Sequence, residues 1–267
     1  MEPIVLTHHQ NRVGYITLNR PEKRNALSPE LISALSESFT EMEKNPDVKV
    51  VLLQAKGRAF CAGADLDYLK KLQDFSVEEN LADSRRLMDL FNQIYEFPKV
   101  VIAQIEGHAM AGGCGLVSLC DFSFAVPDAL FGYTEVRIGF VPALVSVFLA
   151  EQLGQAKATE LLLSGELISA KKAADFELIT EVIDEDLIED WVRKFANRLI
   201  TENSEFSMRE TKRLLRSLGR KDRLSALEAA AEANMSPTNY LTQLVKGIKQ
   251  DDFLNEVRLV RKKLQND

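Results

Sequence analysis

The chain has 267 residues, of which 46% are hydrophobic and 27% are charged. A globular chain of this length and composition buries enough apolar surface to fold without disulfide or metal staples. Forty acidic residues against thirty-three basic ones leave a net charge of −7, which argues against nucleic acid as the main partner.

The cysteines and the apolar runs indicate a compartment. The three cysteines cannot all pair, and no two have the C-x-x-C spacing of a zinc site. The N-terminus has neither the basic nor the apolar segment of a signal peptide. The longest apolar run, residues 140–150, is interrupted by Pro142 and Ser146 and is too short to span a bilayer. We therefore expect a cytoplasmic protein without a metal or a membrane partner.

Strands and helices are predicted to alternate along the first two thirds of the chain. Residues 4–7 and 13–18 have strand patterns, and Ser28 marks the start of a helix with an apolar stripe. Two β-branched runs, residues 48–55 and 99–107, are typical of strands buried on both faces of a parallel sheet. Further helices are predicted over residues 81–94, from Gly112 and from Pro142, and further strands over residues 122–126 and 180–183. This alternation predicts an α/β layered domain.

The last third of the chain is predicted to be mostly helical. Helical periodicity extends from about residue 185 to 264, and the polar residues 201–205 indicate a break between helices. We therefore expect a core over residues 1–200 and a C-terminal helical region over residues 201–267. The apolar stripes of these helices must be covered by the core or by a neighbouring subunit.

Two loops rich in small residues each follow a buried strand. The first is FCAGAD (60–65), and the second is GHAMAGGCG (107–115). Ligands bind beyond the carboxyl ends of such strands, and small residues allow the main chain to approach a ligand closely. One N–H group from each loop could form an oxyanion hole, because a helix that begins in the second loop presents free N–H groups. Neither loop has the pattern of a known phosphate-binding loop.

Glu135 lies between apolar residues in FGYTEVRIGF (131–140). Such a carboxylate is either a solvated loop residue or a partly buried acid with a raised pKa and a catalytic role. Its spacing alone favours the solvated loop residue.

Five stretches of the chain together resemble the crotonase superfamily, the enoyl-CoA hydratases and isomerases. The resemblance covers nearly the whole chain, and the order and separation of the two loops make it specific. The stretches are LNRPEKRNALS (18–28), GRAFCAGADL (57–66), VVIAQIEGHAMAGGCGLVSLCDFSFA (100–125), FGYTEVRIGFVP (131–142) and LLLSGELISAKKAADFELITEVID (161–184). The resemblance implies a crotonase-like α/β fold, with a layered β-sheet spiral core. It also implies C-terminal helices that form trimers, commonly paired as hexamers.

The resemblance also implies a site for an acyl thioester of coenzyme A, with no cofactor beyond the CoA moiety of the substrate. The backbone N–H groups of Ala64 and Gly112 would stabilise an enolate oxyanion, and Glu135 would be the acid–base. Losing one such donor typically costs about 3–4 kcal/mol of transition-state stabilisation. The residues that would line the CoA and substrate site are Arg24, Ala26, Ala62, Ala64, Asp65, Leu66 and Gly112.

The chain departs from the two-carboxylate hydratases of the superfamily at one catalytic position. Those enzymes carry a glutamate three residues after the oxyanion glycine and another twenty-three residues after it, whereas here the first position is Gly115 and the second is Glu135. One carboxylate fits hydratases that resemble 3-methylglutaconyl-CoA hydratase, and it also fits Δ3,Δ2-enoyl-CoA isomerases. The surrounding residues favour the hydratase. An isomerase, a decarboxylase and a non-catalytic CoA-thioester-binding protein are the alternatives.

Two further features lie close to Glu135 in the sequence. Arg137 could meet a carboxylate on the acyl group, although a surface ion pair explains it better. Residues 140–150, FVPALVSVFLA, replace the Pro-Gly-x-Gly-Gly turn of many hydratases in the superfamily. This apolar segment either narrows the acyl end of the pocket or packs into the core as a helix.

Overall fold

The computed structural model describes residues 2–217, which form an α/β fold with two sheets. The strands are β1 (Val5–Gln10), β2 (Val13–Leu18), β3 (Val50–Ala55), β4 (Ala59–Cys61), β5 (Val100–Ile105), β6 (His108–Met110), β7 (Phe122–Ala125), β8 (Leu130–Gly132), β9 (Ile168–Ser169) and β10 (Glu181–Val182). The helices are α1 (Pro29–Lys44), α2 (Leu66–Lys71), α3 (Val77–Tyr95), α4 (Gly112–Leu119), α5 (Ala143–Ser164), α6 (Ala170–Asp175), α7 (Ile188–Glu202) and α8 (Glu205–Ser217). Short 3-10 turns cover Pro21–Lys23, Leu72–Asp74 and Thr134–Ile138.

The larger sheet has six strands in the order β1-β2-β3-β5-β7-β10. Only β1 is antiparallel to its neighbour, and the other pairs are parallel. All six residues of β5 are buried, as are the first four of β3. The predicted β-branched runs therefore form the centre of a parallel sheet, and the α/β layered fold is confirmed.

The smaller sheet has four strands in the order β4-β6-β8-β9, with β4, β6 and β8 parallel. The prediction that the segments of β4 and β6 are entirely loop is therefore wrong. Each contains a strand of three residues, which is too short to show the alternation of a half-buried strand. Pairing of Ala59 with His108 and of Cys61 with Ala109 places the two loops side by side.

Two predicted boundaries differ from the structure. Strand β1 runs to Gln10 rather than Thr7, because the hairpin turn needs only Asn11 and Arg12, both at positive φ. Helix α3 begins at Val77, four residues before the prediction. Ser76 caps it in a capping box with Glu79, and this polar first turn carries no apolar period.

The predicted break near residue 203 separates α7 from α8. Helix α8 is attached to the sheet by Lys212, whose Nζ lies 2.7 Å from Oδ2 of Asp121 and donates to the carbonyl of Lys99. Most of the predicted C-terminal helical region, residues 218–267, lies outside the described residues. The division at residue 200 therefore stays a prediction. Within residues 2–217, no helix is both long and apolar enough to cross a membrane.

Candidate active site

The two loops meet where β4 and β6 end. Gly63 has a φ of +84°, and a Cβ added to it would lie 2.7 Å from the Cβ of Ala111 and 3.0 Å from the carbonyl oxygen of Met110. The same Cβ would lie 3.4 Å from the backbone nitrogen of Gly112. Only glycine fits this position, because it tolerates the left-handed conformation and leaves room for the second loop.

The N–H groups of Ala64 and Gly112 are both available to a ligand. The Leu27 N–H donates to the carbonyl of Gly63, and the Asp65 N–H donates to the carbonyl of Leu27. These two hydrogen bonds hold the residues on either side of Ala64 and do not use the Ala64 N–H. Gly112 is the first residue of α4, where N–H groups have no partner inside the helix. Among the described residues neither N–H donates to another backbone group, and neither residue is fully buried.

The chain between β6 and α4 is held in an uncommon conformation at Ala111, with φ 51° and ψ −122°. Its N–H donates to the carbonyl of Gly132 at 2.7 Å, and its own carbonyl accepts from the N–H of Gly115. A Cβ on Gly113 would lie 2.1 Å from the carbonyl oxygen of Cys61, so the start of α4 presses directly onto β4. Strained backbone of this kind persists only where the surroundings fix it, and it concentrates at functional sites.

A third segment, residues 20–26, closes around the first loop through Asn25. This side chain is fully buried, and its backbone is left-handed, with φ 53°. Its Oδ1 accepts from the Arg20 N–H at 2.8 Å, and its Nδ2 donates to the carbonyls of Lys56 and Ala59 at 2.9 Å. Sequence reasoning did not single out Asn25, although it lies within the quoted RPEKRNA motif.

Arg24 is the one residue with a positive charge among those predicted to line the CoA site. Its carbonyl accepts from the Ala62 N–H at 3.0 Å, which ties residues 20–26 to the loop after β4. Its guanidinium is half-buried and forms no ion pair with any residue in the described range. Ala62 and Leu66 are half-buried on the same loop, and Ala26 is buried beneath it.

Both oxygens of the Asp65 carboxylate accept hydrogen bonds from other residues of the protein. Its Oδ2 accepts from Nη1 of Arg20 at 2.8 Å, and its Oδ1 accepts from the N–H groups of Asp67 and Tyr68 at the start of α2. Its side chain is only 8% exposed. Asp65 therefore caps a helix and fixes the loop that carries Ala64.

Glu135 lies on the 3-10 turn that follows β8, and β8 pairs with β6. Its Oε2 is buried and accepts no hydrogen bond from the described residues. Burial raises the pKa of this carboxyl from its ordinary 4.5 to about 7. The solvated loop residue that the spacing alone favoured is therefore wrong, and Glu135 is the partly buried acid of the two interpretations.

Gly115 lies one turn after Gly112 on α4, and apolar side chains close over it. A Cβ on Gly115 would lie 2.7 Å from Cγ1 of Val145 and 3.0 Å from Cε2 and Cζ of Phe91. Val145 and Phe91 therefore fill the space in which the first glutamate of a two-carboxylate hydratase would lie. Of the two roles considered for residues 140–150, the segment does form a helix that packs inward, with Val145 pressed against α4.

Tyr133 is a neighbour of Glu135 that sequence reasoning missed. Its side chain is fully buried, and its hydroxyl has no hydrogen-bond partner within residues 2–217. Burial holds the pKa of this hydroxyl well above its usual range. Cys114 itself is fixed, since its Sγ donates to the Ala109 carbonyl and accepts from the Gly132 N–H.

Arg137 lies on the same 3-10 turn as Glu135, and its role as a residue that lines the site stays a prediction. It is exposed, and its side chain runs past Gly165 at the end of α5. The structure thus gathers the loop from Ala62 to Leu66, the segment carrying Arg24 and Ala26, and the start of α4. Glu135 lies on the turn after β8, the strand that pairs with β6.

Comparisons with known proteins point to one family. The family model Enoyl-CoA hydratase/isomerase matches residues 8–250. A Thermus thermophilus protein that carries the provisional name enoyl-CoA hydratase is 39% identical over 78% of this chain and 82% of its own length. The (E)-benzylidenesuccinyl-CoA hydratase of Thauera aromatica is 32% identical over 71% of this chain and 73% of its own. A solved enoyl-CoA hydratase/isomerase from Xanthobacter autotrophicus Py2 has a TM-score of 0.82 at 31% identity, over 89% of this chain and 88% of its own. The chain belongs to the enoyl-CoA hydratase/isomerase family of the crotonase superfamily.

Proposed function

We propose that the protein adds water to the double bond of a 2-enoyl-CoA thioester, with Glu135 as its acid–base. The observation that carries this proposal is the Glu135 carboxyl group: its Oε2 is buried without a hydrogen-bond partner among the described residues, and burial raises its pKa to about 7. A general acid–base works best when its pKa lies near the operating pH, because both protonation states are then populated. A carboxyl group raised by burial to that range is a recognised mark of a catalytic site.

The N–H groups of Ala64 and Gly112 hold the thioester oxygen in this proposal. Charge develops on that oxygen only as the enolate forms, so fixed donors stabilise the transition state more than the substrate. The strain at Ala111 and the contact between Gly63 and the second loop support this role, because they fix both donors before substrate arrives.

Glu135 alone moves the proton in this scheme. Its carboxylate takes a proton from water as the water oxygen bonds to the β-carbon, and the electrons of the double bond move to the thioester oxygen. As the thioester carbonyl re-forms, the α-carbon of the enolate takes the proton from Glu135. The Glu135 side chain is thereby converted back into a carboxylate. Water is consumed, and no redox partner is needed. Proton transfer by one positioned group is worth about 10²–10⁴ in rate.

The CoA portion is proposed to lie along the residues around Arg24. The half-buried guanidinium of Arg24 offers a cation to the phosphates of CoA, and the Ala62–Leu66 loop offers main chain to the pantetheine arm. No cofactor beyond this CoA moiety is proposed. We place the activity in the cytoplasm, where the three free, buried cysteines would stay reduced.

Self-association as a trimer, or as a hexamer of two trimers, is proposed from the resemblance. Support comes from α8, where Phe206, Leu214 and Leu215 are all more than 60% exposed. Apolar side chains of this size on one helix need a covering surface. Light scattering of the full chain tests this, because a mass of one chain at micromolar concentration would contradict it.

The acyl group is proposed to be short, with 3-methylglutaconyl-CoA as the named candidate. The single glutamate and the glycine at position 115 support it, since both are shared with hydratases that resemble 3-methylglutaconyl-CoA hydratase. The test is the mass of the product after incubation with crotonyl-CoA, 3-methylglutaconyl-CoA and a 3-enoyl-CoA. Gain of one water from a 2-enoyl thioester supports the proposal. Conversion of the 3-enoyl thioester into its 2-enoyl isomer, detected by chromatography at unchanged mass, with no hydration of the others, would make the protein an isomerase instead.

A further inference from the structure

The backbone of Leu27 is bonded to the loop that carries the Ala64 N–H. The two residues form an isolated parallel β-bridge. The Leu27 N–H donates to the carbonyl of Gly63 at 2.7 Å, and the Leu27 carbonyl accepts from the Asp65 N–H at 2.9 Å. Successive N–H groups of an extended segment point to opposite sides. Since the Asp65 N–H points at Leu27, the Ala64 N–H is turned away from Leu27 and is left for a ligand.

The side chain of Leu27 reaches the second loop. A Cβ added to Gly112 would lie 2.9 Å from Cδ1 of Leu27, so this methyl group packs against the first residue of α4. The same Cβ would lie 3.9 Å from the Cα of Gly63. Leu27 is itself buried, with 4% of its surface exposed. One residue therefore holds the first loop through its backbone and the start of α4 through its side chain.

Leu27 is fixed on both sides along the chain. Two residues before it, the Asn25 side chain is fully buried and donates to two backbone carbonyls. Directly after it, Ser28 caps α1, with its hydroxyl accepting from the Leu31 N–H and its carbonyl from the Ile32 N–H. Leu27 cannot shift without moving either this anchor or the start of α1, so it is suited to set a distance.

We propose that Leu27 is a positioning residue for hydration, which sets the separation of the Ala64 and Gly112 N–H groups. This inference rests on the proposed function, because it takes both groups to bind the thioester oxygen. Leu27 acts through the two donors and not by contact with the substrate. Donors stabilise an oxyanion when they lie within about 2.7–3.1 Å of it, and a displacement of about 1 Å costs on the order of 10²-fold in rate.

The test shortens the Leu27 side chain. The variants are Leu27→Ala and Leu27→Val, neither of which reaches the position of Cδ1. Leu27→Met is the conservative variant, because its side chain is long enough to reach Gly112 again. Leu35→Ala is the matched control, since Leu35 is fully buried on the second turn of α1, outside the two loops.

The first readout is the hydrogen bonding of the thioester oxygen. The probe is butyryl-CoA with a heavy carbon isotope at its thioester carbonyl, which is saturated and is not hydrated. The carbonyl stretching band, followed by isotope-edited infrared spectroscopy, moves to lower wavenumber when the oxygen accepts hydrogen bonds. The values of kcat and KM for crotonyl-CoA are the second readout.

Leu27→Ala and Leu27→Val should lower kcat by about 10–100-fold, with a smaller change in KM, and bound butyryl-CoA should lose part of its band shift. Leu27→Met should restore both. Leu35→Ala should keep the wild-type kcat and band shift, although it lowers stability as a core truncation does. A wild-type band shift in Leu27→Ala and Leu27→Val would overturn the role of Leu27. Equal loss of the band shift in Leu35→Ala would also overturn it, because any core truncation would then have the same effect.

Failure of the proposed function is a separate outcome of the same measurements. A wild-type protein that shifts the carbonyl band but hydrates no 2-enoyl thioester would overturn hydration, while the band shifts of the variants still decide the role of Leu27. A wild-type protein that binds butyryl-CoA without any band shift would overturn this inference, since the thioester oxygen would then not lie at the two donors.

Discussion

Gly115 and Val145 touch across the contact between α4 and α5, with Cγ1 of Val145 only 2.7 Å from the position of a Cβ on Gly115. The site therefore lacks both the first carboxylate of the two-glutamate enzymes and the room for it. Apolar packing stands where a charged group would lie, and in the proposed function this leaves Glu135 as the single acid–base. This packing gives the first prediction.

Gly115→Ala should lower the free energy of unfolding by about 1–3 kcal/mol, because the added methyl overlaps Val145 and Phe91. Val145→Ala in the same chain should relieve part of that cost. The measurement is a double-mutant cycle by urea unfolding, in which the double variant is expected to be more stable than the sum of the single changes. Strict additivity would show that the two positions are not in contact.

Activity should depend on pH through Glu135. The carboxylate must be unprotonated to accept a proton from water, and its pKa is about 7. The value of kcat/KM for hydration should therefore rise with pH, with a midpoint near 7, and level off about one to two units above it. An ordinary exposed glutamate would place this midpoint near 4.5. Steady-state rates between pH 5 and 9 would distinguish the two, and a flat profile would contradict the assignment.

Asn25→Asp should destabilise the protein and weaken CoA binding together. The amide Nδ2 donates to two backbone carbonyls, of Lys56 and Ala59, and a carboxylate in its place would face them without a proton to share. Each of the two unsatisfied carbonyls costs about 1–3 kcal/mol, so we expect the free energy of unfolding, measured in urea, to fall by about 2–6 kcal/mol. Glu22→Gln is the control, since it lies in the same segment but is exposed. A stability equal to that of the control would show that Asn25 does not hold this segment.

Lys212→Met should loosen the attachment of α8. The Lys212 ammonium is buried beside Asp121, which also pairs with Arg216. Its removal leaves Asp121 with one cation instead of two and takes away a hydrogen bond to a charged group, at a cost of about 1–3 kcal/mol. Lys194→Met is a matched control, because the Lys194–Asp190 pair is exposed and should contribute about 0–1 kcal/mol. Equal midpoints in denaturant for the two variants would contradict the role given to Lys212.

The sequence predicts the larger sheet well, because its central strands are long and apolar enough to show a pattern. It does not predict β4, β6, β8 and β9, strands of two or three residues that carry no periodicity, although it does predict the equally short β10 within residues 180–183. The partners of the Asn25 side chain lie up to 34 residues away, so no local pattern indicates its role. The burial of Glu135 is likewise a tertiary effect that spacing cannot decide. Phe91, Gly115 and Val145 lie far apart in the sequence, and only the fold brings them together.

The central claim is that Glu135 is the acid–base of a hydratase with one carboxylate. The most direct test is Glu135→Gln, which keeps the size of the side chain and removes its ability to accept and return a proton. Hydration of crotonyl-CoA is followed by the mass of the product, and binding of unreactive butyryl-CoA serves as the control for an intact site. We expect kcat to fall by about 10²–10⁴ while butyryl-CoA still binds. Hydration at the wild-type rate by Glu135→Gln would contradict the claim.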